Sequence, residues 1–262
     1  MGLYLYCVKE KNNSEFSEKG INGGKIFVVP YKGLEAIVSQ VDLKEFSSNE
    51  IQRKADNLGW IKEKAQLHEQ IIEEAMGKEK GKIIPVIPMK FGTIFKSKEK
   101  LEETLKKYYS KFKKTLENLA GKQEWGVKIY LNRKIFEKEV KKVSHEIQKK
   151  EEEMISMPEG VAYFMQKQID DAVKKEADKT FQNYIENFFN NLKEFSAAGT
   201  KGKILEKELT GKSLPMTMNA IFLVSEKKLK GFIKEINNLN KEFKSKGFTF
   251  EYSGPWPPYN FV

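Results

Sequence analysis

The stretch Lys82–Phe95, KIIPVIPMKFGTIF, constrains the fold more than any other part of the chain. It is the most apolar continuous run in the first half. Its isoleucine, valine and phenylalanine favour extended backbone, because branched and aromatic side chains pack well on a pleated surface. Pro85 and Pro88 have no N–H to give to a ladder, so this strand is expected at a sheet edge, or broken in two around Pro88. Gly92 permits a bend or the close approach of another backbone. One amphipathic helix precedes the run and another follows it. Both need an apolar surface to cover, and this is the nearest.

At 262 residues the chain has the length of one large domain or two small ones, and two is the better expectation. The charged fraction is 32% and the hydrophobic fraction 39%, which suits long helices with solvated faces. The net charge of +10 invites a nucleic-acid reading. The kind of base argues against it: only Arg53 and Arg133 are arginine. Lysine is a point charge without the planar fork that reads phosphate and guanine. The lysines also alternate with glutamate, as in KEKGK and KKEEE, so a solvated surface of mixed sign is expected. The single cysteine, Cys7, lies in an apolar run and reads as a small buried side chain. The opening MGLYLYCVKE has no basic n-region or long apolar region. No run approaches the roughly 18 to 20 apolar residues that span a bilayer. A soluble, intracellular protein is expected.

In chain order, Leu3–Val8 reads as a strand, residues 9–24 as a polar connector, and Lys25–Val29 with Leu34–Val41 as a hairpin about Pro30-Tyr31-Lys32-Gly33. Asn49–Met76 reads as a helix with Ile51, Ala55, Leu58, Ile61, Ala65, His68, Ile72 and Ala75 on one stripe. After the proline-broken run, Ser97 caps a further helix that ends at Gly121. These elements predict a two-layer α+β domain over residues 1–121, with its helices to one side.

Residues 122–262 predict a second domain with a helical insertion and a proline- and aromatic-rich tail. Glu124–Leu131 is a strand and Lys134–Met154 a very polar helix, expected to project into solvent or lie loosely. Ser156 is placed as the cap of a helix running to Phe195, close to 55 Å long at about 1.5 Å per residue. Ser196–Gly202 reads as a loop, Lys203–Leu209 and Met216–Val224 as strands, Ser225 as the cap of a helix ending at Gly247, and Phe248–Tyr252 as the last strand. The order βαββαβ is that of a ferredoxin-like domain. The three prolines after Gly254 are expected to stop the sheet and to form a stiff, extended tail that docks on the protein's own surface, or alternatively on another molecule.

No constellation for chemistry stands out. His68-Glu69 begins like a zinc-protease helix, but Ile72 stands where the second histidine belongs, and His68 reads as a packed histidine with a hydrogen-bond partner. Two histidines and one cysteine do not suggest a metal site. Gly211-Lys212-Ser213 ends like a phosphate-binding loop, but Glu206 replaces its first glycine and a strand follows. Asp170 and Asp171 are adjacent on a helix and diverge by about 100°, so they do not converge on one substrate. No enzymatic activity, cofactor, metal or small-molecule substrate is expected.

The tail GPWPPYNFV after FTFEYS, the block IPVIPMKFGTIF after a helix bearing His68-Glu69, and the strand EWGVKIYL resemble the gas vesicle protein GvpF/GvpL family. MPEGVAYFMQKQIDDAVKKEAD and LYLYCV are similar to its helix segment and opening strand, so the likeness runs from Leu3 to Val262. Lys90 stands where the family would have arginine; it keeps the charge and loses the bidentate fork. The resemblance implies a non-enzymatic accessory protein of gas vesicle assembly, cytoplasmic and at the gas vesicle. It implies two α+β domains, and as partners the hydrophobic shell protein and other accessory proteins. Neither nucleic acid nor membrane insertion is implied; a nucleic-acid binder built on ferredoxin-like domains is the alternative. Proline-broken edges and aromatic patches suit such a task. On that ground Pro85, Pro88, Lys90, Phe91, Phe95, Trp256, Tyr259 and Phe261 are the expected partner-binding residues.

Overall fold

The structure, a computed structural model, describes every residue except 13–14, 17–18, 47–49, 51–52, 55–56 and 80–81. The chain adopts the α+β class expected of it. It divides into two compact units: Met1–Glu124 together with Pro255–Val262, and Trp125–Gly254. The tail, placed by the sequence with the second half, thus belongs to the first unit.

In the first unit, β1 (Gly2–Glu10) is the strand around which the others pair. On one side it pairs antiparallel with β3 (Leu34–Val41), which pairs in turn with β2 (Ile26–Tyr31). The β2–β3 turn is Lys32-Gly33, both left-handed (φ 45° and 82°), the two-residue geometry that matches strand twist. On the other side of β1 lie two pieces of the proline-broken run. Val86–Pro88 (β6) pairs with Lys9–Cys7, and Ile94–Phe95 (β7) pairs with Tyr4–Leu3. The run is therefore both at an edge and broken after Pro88. Its first residues, Lys82–Ile83 (β5), pair instead with Lys78–Glu79 (β4).

The layering of this unit departs from the expected two layers. Helix α1 (Leu58–Ala75) packs Ile71, Ile72 and Ala75 against Tyr4, Tyr6 and Ile37. Helix α2 (Lys98–Leu119) packs Leu101, Leu105 and Leu116 against Leu3, Leu5 and Val38, which point the other way. The sheet lies between the two helices. The cause is in β1 itself: residues 2–9 are all buried, so neither face of the strand can be left to water. Even Lys9, expected in the polar connector, is a buried strand residue opposite Glu35, 3.7 Å from its carboxylate. The helix expected from Asn49 is continuous only from Leu58, because Asn57 is extended and its side chain accepts from the Trp60 N–H. Ile51 and Ala55 lie outside the described residues, and Leu58 is exposed rather than on the stripe.

The second sheet has β8 (Lys122–Leu131), β9 (Ala198–Lys201), β10 (Met216–Ser225) and β11 (Phe248–Trp256) in the order β11-β8-β10-β9, and the second unit takes β8 from Trp125 and β11 as far as Gly254. With α5 (Glu159–Glu194) and α7 (Glu226–Phe243), this is the ferredoxin-like arrangement expected. One face of the sheet, carrying Val127, Ile129, Phe222, Phe248 and Phe250, packs against Phe188 and Leu192 of α5 and Phe232 and Ile236 of α7. The polar helix is two helices, α3 (Arg133–Val143) and α4 (His145–Ile155), divided at the extended Ser144. They do not lie loosely: Ile147 forms a small core with Ile169 and Val173 of α5. Arg133 bonds to Glu137 and Asp178 at 2.7 and 2.8 Å. Ser156 does not cap the long helix, which starts after Pro158 without a side-chain cap.

Two strand assignments shift. Residues 207–210 form a short helix, α6, and the strand lies earlier, at Ala198–Lys201, paired antiparallel with Leu223–Ala220. The small residues expected to be a loop permit that pairing. A Cβ added at Gly199 would lie 2.9 Å from the Phe222 ring, so the bare backbone lets the ring seat. The last strand also continues through Pro255 to Trp256, four residues further than expected. It is an edge strand, where a residue without an N–H is tolerated.

We expect Gly199→Val to push the Phe222 ring out of its place and to destabilise the second unit by about 1–3 kcal/mol. Thermal unfolding followed by circular dichroism measures it, and an unchanged midpoint would mean that the ring has room to spare.

Candidate partner-binding site

In the first unit, four segments converge on His68: β1, helix α1, the loop 89–93 between the two paired pieces of the broken run, and the tail. The loop is stitched to β1 at both ends, by Met89 N–H donating to Tyr6 O (2.8 Å) and Leu5 N–H donating to Thr93 O (2.9 Å). Gly92 carries its bend at φ 81°. Gly92 N–H donates to the Tyr4 hydroxyl (2.9 Å), and the hydroxyl lies 3.1 Å from His68 Nδ1. His68 Nε2 is 3.1 Å from the Met89 carbonyl oxygen and 3.3 Å from the Tyr259 hydroxyl, which donates to Glu69 Oε2 at 2.8 Å.

The polarity of this chain of bonds is fixed by its ends. A carbonyl can only accept, so Nε2 carries the hydrogen and Nδ1 accepts from Tyr4. Burial holds His68 neutral, with its pKa pushed down to about 4, and the bond to Met89 offsets that in part. The rings of Tyr4 and Phe91 stand edge-on to the imidazole at 5.6 and 5.8 Å.

A second carboxylate holds the tail. Glu124, 4% exposed, accepts from Asn260 twice: from the backbone N–H at 3.0 Å and from the side-chain amide at 2.7 Å. Burial raises its pKa, the two Asn260 bonds lower it, and the nearby charge of Glu69 raises it again. Glu69 is likewise raised by burial, lowered by its bond to Tyr259 and raised by Glu73. Pro257 and Pro258 are buried between the Trp256 and Tyr259 positions. The tail is thus seated at two polar points on adjacent residues, Tyr259 and Asn260.

Two open clefts flank Tyr259. One, of about 710 Å³, is lined by Ala65, His68, Glu69, Glu73, Lys90, Phe91, Trp256 and Tyr259 among others. The other, of about 490 Å³, is lined by Ile87, Pro88, Met89, Lys90, Lys111, Phe112, Tyr259 and Val262 among others. Lys90 and Tyr259 form the partition shared by both.

Of the residues expected to bind partners, the structure brings Lys90, Phe91, Trp256 and Tyr259 to one cleft and Pro88, Lys90 and Tyr259 to the other. Lys90 and Trp256 are exposed, Phe91 and Tyr259 half-buried, and Pro88 is buried in its strand. Pro85 and Phe261, both half-buried, line neither cleft. Phe95 sits with the core on the opposite face of the sheet, beside Leu3 and Leu101.

The family model for gas vesicle synthesis protein GvpL/GvpF matches residues 2–262. The chain belongs to the GvpL/GvpF family. Among its relatives, gas vesicle protein F1 of Halobacterium salinarum is 25% identical over 99% of this chain and 92% of its own. Gas vesicle protein L of a Streptomyces species is 21% identical over the same shares. Crystal structures of GvpF from Anabaena (TM-score 0.73, 18% identity, 99% of this chain and 97% of that one) and Microcystis aeruginosa (TM-score 0.66, 16% identity, 99% and 98%) share the fold.

As a GvpL/GvpF member the chain has a role related to gas vesicles, and no described helix is long and apolar enough to cross a membrane. Sequence reasoning placed His68 correctly as a packed, hydrogen-bonded histidine and missed Tyr4, Glu69, Glu124 and Asn260. Glu124 is the only acid in the strand KQEWGVKIYL, but alternation sets it on the face of Gly126 and Lys128 rather than that of the buried Val127 and Ile129, so strand periodicity gave no signal for its burial.

Two outcomes follow for this family member. Asn260→Ala removes the side-chain amide that donates to the buried Glu124 carboxylate, leaving only the backbone N–H, and is expected to cost about 1–2 kcal/mol. Amide hydrogen exchange in Trp256–Val262 should accelerate in parallel, while the second unit stays unchanged. His68 has a folded pKa of about 4 against 6.5 in the unfolded chain. The unfolded state therefore binds the extra proton, and the stability present above pH 6.5 is lost as pH falls towards 4, by roughly 3 kcal/mol. Comparing urea unfolding of the unsubstituted chain and His68→Gln over that range should show a shallower acid slope in the variant.

Proposed function

We propose that this chain is a non-catalytic accessory protein of gas vesicle assembly. In this reading it binds the hydrophobic shell protein and other accessory proteins, in the cytoplasm and at the growing vesicle, through the surface around Lys90, Phe91, Trp256 and Tyr259. The observation that carries it is the pair of clefts flanking Tyr259, with an apolar floor, an exposed Trp256 and the exposed Lys90 between them. An aromatic side chain exposed at the rim of an apolar cleft is the usual anchor of a protein interface. A shell protein assembles from apolar surfaces that must be kept from pairing wrongly before they are incorporated. A cleft of this kind, bordered by a proline-broken edge, suits that transient contact.

The role is tested by deletion and capture together. Cells lacking the chain should lose floating vesicles, and purified chain should retain shell protein. Trp256→Ala combined with Lys90→Glu should weaken capture at least tenfold, as the loss of an aromatic anchor worth about 2 kcal/mol predicts. Normal flotation in the deletion strain would sink the role; undiminished capture by the double variant would sink the surface.

A further inference from the structure

We propose that the segment Pro255–Val262 exchanges between copies of this chain, so that the tail of one copy seats in the tail groove of a second and links them. The inference goes beyond the shell-protein reading and stands on different observations. The tail groove is a built peptide site with a demonstrated ligand. Glu69 and His68 meet the hydroxyl of Tyr259, and Glu124 meets both the backbone and side-chain N–H of Asn260. A segment must supply a hydroxyl and an amide pair on adjacent residues, behind two buried prolines, to satisfy both carboxylates and the His68 Nε2–H. That pattern is the one this chain carries at residues 257–260, so a second copy is the occupant that fits.

The connection also permits exchange. The tail completes the first unit but follows the second, and the boundary falls at Gly254, which holds φ 145°. That conformation is open to glycine and strained for any other residue; Gly254 lies within the last strand, so a pivot there detaches only its final residues, Pro255 and Trp256, along with the tail. An exchanged tail remakes each bond of a closed one, so the change is confined to the pivot and to association. The tether gives a closed tail an effective concentration in roughly the millimolar range. Closed tails therefore dominate in dilute solution, and exchange grows with protein concentration.

Thr115 and Val262 line the same cleft, which supplies a reporter that leaves the groove's polar contacts in place. Full-length Thr115→Cys chain labelled with heavy isotopes is mixed with unlabelled Val262→Cys chain. The mixture is equilibrated at about 10 µM and about 500 µM, the latter approaching the tether's effective concentration, then oxidised and analysed by mass spectrometry. Only a tail in another copy's groove places these two cysteines together. The expected result is a heavy–light 115–262 disulfide whose share rises roughly in proportion to concentration, and which Asn260→Ala on the Val262→Cys chain reduces several-fold. Random collision would leave that link unaffected by Asn260→Ala, and this outcome overturns the proposal. Sedimentation of the unsubstituted chain is the second measurement. A reversible larger species at high concentration is expected, and a single monomeric boundary at every concentration overturns exchange.

Discussion

Strand Gly2–Glu10 has no face to give to water, and the arrangement of the first unit follows from that. Side chains alternate along a strand, so a run buried at residues 2–9 needs cover on two sides. Helix Leu58–Ala75 supplies one cover and helix Lys98–Leu119 the other. The hairpin 26–41 and the two pieces of the proline-broken run complete the strand's edges. The polar groups brought into this interior are then obliged to find one another, because an unpaired buried donor or acceptor costs about 1–3 kcal/mol. Tyr4 and Tyr6 show it. The first hydroxyl joins Gly92 to His68, and the second accepts from Ile21 N–H and bonds to Ser39 at 2.7 Å.

The tail is held by a chemistry of the same kind, with charge added. Two carboxylates, Glu69 and Glu124, sit where desolvation works against ionisation, and neutral donors are what the tail offers them. Bonds from a hydroxyl and an amide to a carboxylate are stronger than bonds between neutral groups, so a short segment is fixed without a large apolar area. The proline-broken run and the tail, far apart in the chain, become one surface because His68 bonds to both Met89 and Tyr259. That junction leaves Lys90 and Trp256 exposed beside it, which is the geometry that supports the proposed assembly role.

Much of the architecture was legible from local pattern. The antiparallel hairpin, the broken edge, the cap at Ser97, the stop at Gly247 and the βαββαβ order all rest on signals within a few residues, and all are present. The errors share a cause. Ala198–Lys201 is a strand because Gly199 clears the Phe222 ring, and Pro255 remains in a strand because that strand is an edge. The tail belongs to the first unit because Glu69 and Glu124 wait there for its donors. Each depends on a neighbour remote in sequence, which propensity does not see.

The amino-acid sequence by itself determined most of the element types outside residues 196–210, the broken strand, the ferredoxin-like order and the family, since all of these are carried by spacing and local backbone preference. Tertiary structure alone decided that one sheet is covered on both faces, that the tail returns to the first unit, and that His68, Tyr259 and two carboxylates form a single latch. The reason is that burial and hydrogen-bond pairing are properties of groups brought together from distant parts of the chain, and their energies exist only once the fold has placed them in contact.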